Sequence, residues 1–419
     1  MSQTKAELID PLNGIVSSGD VKINDVSVGK GANSVSNNTA LGENALDDAV
    51  TGDNNTAIGK NALTANTSGY DNVAVGLDAL KVNTTGAENV AIGKVSLDAN
   101  TTGSRNVGVG KYTLSTNTTG GSNTAIGDQA LFASTTASNN TAVGKFALKE
   151  NTTGANNVAL GTNALDANTT ANANTAIGFG SLGANTTGAT NSALGSNTLE
   201  NNTSGGSNVA VGQNALTNNT TASNNTAVGK DSLLSNTTGD QNVAVGTNAL
   251  DANTTGYNNI AVGMHALGAN TTGYNNDAFG HLTLSENTTG ENNTACGHDS
   301  LQRNSTGDYN TAVGSQALDH NTTASNNTAV GYNSLTVNTI GTQNTAVGAE
   351  ALDANTAHNN NAFGYQALSA NTSGSSNCAF GSHALDNNTT AANNSAFGHR
   401  ALDANTTGTS NTAVGKGCL

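Results

Sequence analysis

Large apolar residues return along the chain at a fixed interval. Leucine recurs every 17 positions from Leu46, Leu63 and Leu80 onward, and a second apolar residue sits just before each member of a glycine series. That series runs Gly42, Gly59, Gly76, Gly93 and on to Gly348 in steps of 17, takes one step of 16 to Gly364, and resumes through Gly381, Gly398 and Gly415. With this glycine as slot one, the unit reads G-x-x-A-L-x-x-N-T-T-G-x-x-N-T-A-V. Slot five is always Leu, through Leu402 and Leu419, and slot seventeen is Val, Ile, Leu or Phe (Ile58, Val75, Leu160, Phe279), with one Cys at Cys296. Slots four and sixteen are small. Slot fourteen is always Asn, and slot eight is Asn except at Ala49 and Ser134.

A unit of this length cannot hold two helices and a turn, because a mean helix alone takes about 11–12 residues. Its β-branched residues and Asn-Gly breaks predict short strands and tight turns. Two strands are expected per coil, one over slots fourteen to seventeen and one centred on the Ala-Leu of slots four and five. Stacking successive coils at the strand spacing of about 4.7–4.9 Å gives a parallel ladder. The expected fold is therefore all-β, a parallel β-solenoid or β-roll of about 23 coils, with the Leu and Val columns forming its interior. Residues 1–25 form a capping or attachment segment, residues 26–41 a short first coil, and residues 42–419 the array. Lys5 to Asn13 and the Val21–Val28 stretch would cover the open first coil, since exposed strand edges recruit other strands.

The small-residue columns carry separate expectations. An unbroken glycine at slot one implies positive φ or very close backbone approach. Slot eleven accepts Ala at Ala137, Ala171, Ala222, Ala324 and Ala391, so it demands smallness rather than left-handed geometry; His358 would occupy it in the short coil. Asn columns can bond both the turn backbone and the Asn one coil away. Slot six holds nine acids, Asp47, Asp98, Asp166, Glu200, Asp251, Asp319, Asp353, Asp386 and Asp403, and only the last two fall in successive coils. Stacked like charges repel, so this spacing suits a solenoid. With two large apolar residues per turn the roll is thin, and burial of its small Ala face against other copies favours a parallel homotrimer.

Composition narrows the function. Charged residues make up 10% and aromatics 3%, with 50 Gly, one Pro and no Trp, far from the roughly 25% charged residues of a globular domain. A net charge of −15 argues against nucleic acid, whose phosphates need clustered Lys and Arg. Three Cys do not make a disulfide framework. No run reaches the ~18 apolar residues of a membrane span, so no membrane insertion is expected. Met1 to Pro11 lacks the order of a secretory signal, which points to a product retained in a cytoplasm or released by lysis. No nucleophile, base and orienting group come together in the sequence, no acid-rich calcium repeat occurs, and no enzyme activity or cofactor is expected.

The string "NTAVGxxALxxNTTG" resembles the head repeats of trimeric autotransporter adhesins. It also closely resembles repeat regions of bacteriophage tail fibres, including those of marine cyanophages. The likeness covers about Val26 to Leu419, and the Gly29-to-Gly42 step of 13 in "VSVGKGANSVSNNTALG" is close to the adhesin-type coil. It implies a left-handed parallel β-roll trimer. Adhesins of that kind carry a signal peptide and a C-terminal membrane barrel, which this sequence does not show. Related phage fibres often end in a self-trimming chaperone, whereas this chain stops at Leu419, five slots into a coil.

Candidate sites are few. All seven His lie in the second half, and His281 and His298 share slot two in successive coils. They could meet a metal on a trimer axis, as His does in some phage fibres; the plainer alternative is a variable surface slot that also takes Lys, Gln, Thr and Tyr. Tyr257 and Tyr274 share slot twelve and could form a sugar-binding platform, or be an ordinary exposed pair. Phe363, Phe380 and Phe397 are expected to pack in the core at slot seventeen, and Cys296 and Cys418 to replace core residues. The Asn-Thr-Thr sequons read as ladder chemistry.

The first functional expectation is a virion fibre, a rigid trimeric shaft in host attachment, with other virion proteins as partners through the N-terminus and a host surface glycan or protein at its far end. The alternatives are a cell-surface adhesin head, an ice-binding solenoid and a self-assembling extracellular filament.

Overall fold

A computed structural model describes residues 20–48 and 50–419. The Lys5–Asn13 part of the expected cap, most of the 1–25 segment and Ala49 lie outside the described residues. The chain divides into two compact units, Met1–Thr187 and Gly188–Leu419.

The first unit opens with β1 (Val21–Ile23), β2 (Val26–Gly29) and β3 (Thr39–Gly42). Asn24 and Asp25 form a two-residue hairpin turn between the first two. Both take positive φ, 50° and 64°, the backbone such a tight connection requires. β1 pairs antiparallel with β2, and β2 pairs antiparallel with β3, with Val28 opposite Leu41. Residues 26–41 were expected to be a short first coil of the parallel stack. They instead reverse the chain, so that β2 covers the free edge of β3. From β3 the pairing turns parallel and stays so through β4 (Thr56–Ile58) to β11 (Thr175–Ile177), one strand per coil. Ala40 pairs with Ala57, Ala57 with Ala74, and Ala159 with Ala176.

The second unit repeats this arrangement from β12 (Ser192–Leu194) to β25 (Thr412–Val414), with every strand parallel to the next. Both units are thus parallel β-solenoids with a 17-residue period. Their only helical element among the described residues is a three-residue 3-10 turn, Ala32–Ser34.

From β4 onward each strand covers only slots fifteen to seventeen. Successive strand residues point to opposite sides, and the fully buried one is the slot-sixteen Ala, for example Ala57, Ala74 and Ala244. Slot seventeen must therefore face outward. Ile58 is 36% exposed, Leu160 46% and Phe279 42%. This overturns the expectation of a Val column inside. Phe380 and Phe397 are outward as well, and their rings stack at 5.4 Å along the surface rather than in a core. Cys296 is exposed for the same reason, and Cys418 is only half-buried. The interior is built instead from the slot-five Leu, the slot-sixteen Ala and the small residue at slot four. Gly108, the one glycine at slot sixteen, shows how closely these fit. A Cβ there would lie 2.6 Å from Ser96 Oγ, and Ser96 pairs with Thr113 at 2.7 Å.

The second strand expected at Ala-Leu does not form. Slots three and five both take left-handed backbone, with Asn61 at φ 56°, Leu63 at 52° and Leu216 at 53°. A leucine in that conformation costs about 1–2 kcal/mol, against roughly 1.5–3 kcal/mol from complete burial of its side chain. The turn still joins the ladder, since Leu63 N donates to Ala79 O at 3.0 Å. Slot-one glycines adopt φ values such as 128° at Gly59 and 142° at Gly263. A Cβ on Gly59 would lie 2.6 Å from the carbonyl oxygen of Gly76 in the next coil. Both reasons proposed for that column therefore hold.

Buried asparagine ties the coils together. In the slot-eight column Asn83 Nδ2 donates to Asn66 Oδ1 and to Gly86 O, both at 2.9 Å. In the slot-fourteen column the Asn72 backbone N donates to Asn55 Oδ1 at 3.0 Å, and Asn72 Nδ2 reaches Gly86 O at 2.9 Å. The slot-eleven carbonyl thus accepts from both columns. Slot eleven is crowded by these amides, and Gly86 does not have positive φ, which matches its tolerance for Ala. In the short coil the missing residue is at slot ten. Ala357 takes the slot-eleven place, accepting from Asn344 Nδ2 at 2.8 Å and Asn355 Nδ2 at 3.0 Å. His358 is therefore not at slot eleven; it lies exposed one position further on.

Two substitutions test this core. Ser134 interrupts the slot-eight ladder and leaves Asn117 Oδ1 and its own Oγ enclosed without partners. Ser134→Asn should restore both bonds and stabilise the first unit by roughly 1–3 kcal/mol in urea titration; a loss of stability would contradict the ladder. Leu216→Ala should destabilise the second unit by about 2–5 kcal/mol, and unchanged urea unfolding would place slot five outside the core.

Candidate functional site

Outside the core, residues at one slot form columns that run from coil to coil, and side chains 17 apart are neighbours. The β-face carries the alternation of slots fifteen and seventeen, a stripe of Thr, Val and larger apolar residues, with Leu194 48% and Phe279 42% exposed in the second unit. Thr at slot nine is not a free hydroxyl row. Thr84 Oγ1 donates to Thr101 O at 3.0 Å, and Thr254 Oγ1 to Thr271 O at 3.0 Å. The Asn of the Asn-Thr-Thr sequons is likewise enclosed, with its amide nitrogen committed to the ladder, as at Asn83 and Asn253.

Column neighbours in the first unit include opposite charges. Lys60 Nζ lies 2.8 Å from Glu43 Oε2, and Arg105 Nε lies 3.1 Å from Glu88 Oε2. Both pairs are exposed, and such pairs contribute little to stability.

At slot twelve, Tyr257 and Tyr274 stack with centroids 4.9 Å apart and planes 2° apart. The structure brings this pair together as the spacing implied. Each ring covers one face of the other, and Tyr257 remains 43% exposed. A hydrogen bond to Glu291 in the next coil raises the Tyr274 hydroxyl to about 12.

At slot two, His281 and His298 stack with centroids 5.2 Å apart and planes 24° apart. Both belong to one chain, so their contact with each other needs no partner copy. Asp299 joins them: its Oδ2 lies 2.8 Å from His298 Nδ1. One ligand atom from each of His281, His298 and Asp299 falls within 4.8 Å of the others. Asp299 escaped the sequence reading because its slot is normally Asn or another polar residue. Its left-handed backbone, φ 55°, belongs to a turn that sequence alone assigned to a strand.

The slot-six acids are spaced along their column, and several sit half inside the turn. Asp98 Oδ1, Asp319 Oδ1 and Asp353 Oδ1 are enclosed with no hydrogen-bond partner. Burial pushes the Asp98 carboxyl up to about 6, with repulsion from Asp78 adding to it. Burial also raises Asp166, Asp251, Asp319 and Asp353. Asp386 is better provided for, with Ser369 Oγ at 2.5 Å and His383 Nδ1 at 3.0 Å.

A comparison with protein-family models gives no match, and no curated protein matches the sequence. Among the described residues, no helix is long and apolar enough to cross a membrane.

The raised carboxyls set the sign of the pH response. A group whose folded pKa lies above its unfolded value of 3.8 favours the fold while protonated, and that contribution is lost as pH rises through the folded value, about 6 for Asp98. Asp231, held down by Lys230, works the other way: its contribution is present above the ordinary value of 3.8 and is lost as pH falls below it. Melting temperature should therefore rise as pH falls from 7 to about 5, with a smaller rise in Asp98→Asn; a fall in both would refute the burial of these acids.

Proposed function

We propose that this chain is a structural fibre protein of a virion, the shaft of a parallel homotrimer that takes part in host attachment. The observation that carries the reading is how the side chains are used. Leu, Ala, Asn, Gly and slot-nine Thr in coil after coil are committed to the coil above or below, as in Asn83 to Asn66 and Thr84 to Thr101. A parallel stack fixed in this way resists bending and shear, the property a shaft needs. The resemblance of NTAVGxxALxxNTTG to tail-fibre repeats supports the virion setting and a left-handed trimer. Attachment to other virion proteins falls to the N-terminal segment, and a host glycan or protein is the target at the other end. The chain works outside the cell in this reading, as a support without catalysis.

The face for trimer packing differs from the one expected. The Ala columns are inside each coil, so the copies meet through the outward stripe of slots fifteen and seventeen, which leaves apolar residues such as Leu194 and Phe279 exposed in a single chain. Contiguous apolar surface of this kind marks association sites.

Sedimentation equilibrium of the whole chain should give three times the 41.5 kDa chain mass. Leu194→Lys with Phe279→Lys should yield monomers that keep their β circular-dichroism spectrum. Immunogold against the chain should label appendages on particles from the source. A wild-type monomer would end the trimer, and unlabelled particles would end the virion assignment.

A further inference from the structure

We propose that His281, His298 and Asp299 form a binding site for one divalent first-row transition-metal ion, of the zinc, cobalt or nickel type, within a single chain. The site does not depend on the assembly or on the virion reading.

The ladder supplies the preorganisation. Gly280 N donates to Val262 O and Gly297 N to Phe279 O, both at 2.8 Å, and Asp299 N donates to His281 O at 3.2 Å. These bonds fix His281 and His298 in register one coil apart, so neither backbone must be ordered when an ion arrives. The three ligand atoms lie within 4.8 Å of one another. A tetrahedral set at about 2.0–2.1 Å from zinc needs separations of about 3.3 Å. The remaining distance is to be closed by rotating the two imidazoles, whose planes differ by 24°; His298 is exposed.

Asp299 supplies the second, independent reason. Its side chain is only 16% exposed. Oδ1 is enclosed with no hydrogen-bond partner, and Oδ2 is met only by His298 Nδ1 at 2.8 Å. A carboxylate so placed has little compensation for its charge unless a cation sits beside Oδ2. Two imidazoles and one carboxylate select a borderline transition metal over magnesium or calcium, which prefer all-oxygen shells. Water would complete the coordination at the exposed side. His383 and His399 are a useful contrast in the same unit. Their rings meet edge to face at 6.4 Å, and His383 Nδ1 is taken by Asp386.

The array provides substitutions that leave the fold intact. Slot two is Gln at Gln213 and Thr at Thr247, and slot three is Asn at Asn214 and Asn248. His281→Gln, His298→Gln and Asp299→Asn are therefore residues the coil already accepts. Titration of the whole chain with Co²⁺ at pH 7.5, followed by its visible absorption and by competition with Zn²⁺, should give one site per chain. Each single variant should weaken binding by about tenfold or more, and His383→Gln with His399→Gln should not change it. Absence of the cobalt spectrum at millimolar metal, binding unchanged in His298→Gln, or equal competition by Ca²⁺ would each overturn the proposal.

Discussion

Two enclosed columns of asparagine decide how one coil lies on the next. Each amide must place its nitrogen on an oxygen one coil away, and on the slot-eleven carbonyl as well, as Asn83 and Asn72 do around Gly86. An unpaired amide in that position costs about 1–3 kcal/mol, so a slip of register by even one residue is penalised at every coil. The slot-one glycine adds a steric limit, because its α-carbon faces the carbonyl of the glycine above with no room for a methyl. Leucine and alanine then fill what the polar columns define.

Much of this is legible in the sequence. The period, the enclosed Leu column, the two-way bonding of Asn and the distinct demands of the two glycine columns all follow from residues 17 apart. What was not legible is which side of the strand faces in. Size suggested that Val and Phe at slot seventeen fill the interior, but a coil this narrow has room there only for the methyl of Ala57 or Ala244, and the strand alternation sends its neighbours outward. The left-handed turn at Asn61 and Leu63 was hidden for a related reason. Leucine has no preference for that backbone, and only its complete burial offsets the strain.

The candidate site divides in the same way. His281 beside His298 and Tyr257 beside Tyr274 are consequences of the period and could be read directly. Asp299 could not, because its approach to His298 depends on the turn and not on the column. The half-buried acids at slot six are a similar case. Their spacing was visible, yet their enclosure, with unpaired oxygens on Asp98, Asp319 and Asp353, comes from how tightly the leucine turn closes. On such an array the outward columns are where a slot can change without disturbing the ladder.

The coil from Gly348 to Gly364 shows where the period can give. It lacks one residue, yet Thr345 still pairs with Asn361 and Ala346 with Ala362, and Ala357 still receives both amides. The missing position is slot ten, whose side chain is exposed in the neighbouring coils. Loss of a residue within slots fourteen to seventeen would instead turn the inward alanine out and break the asparagine column. Genetic length change in such a molecule is therefore channelled: whole coils can be gained or lost by recombination between like repeats, whereas single-codon changes survive at the outer bend.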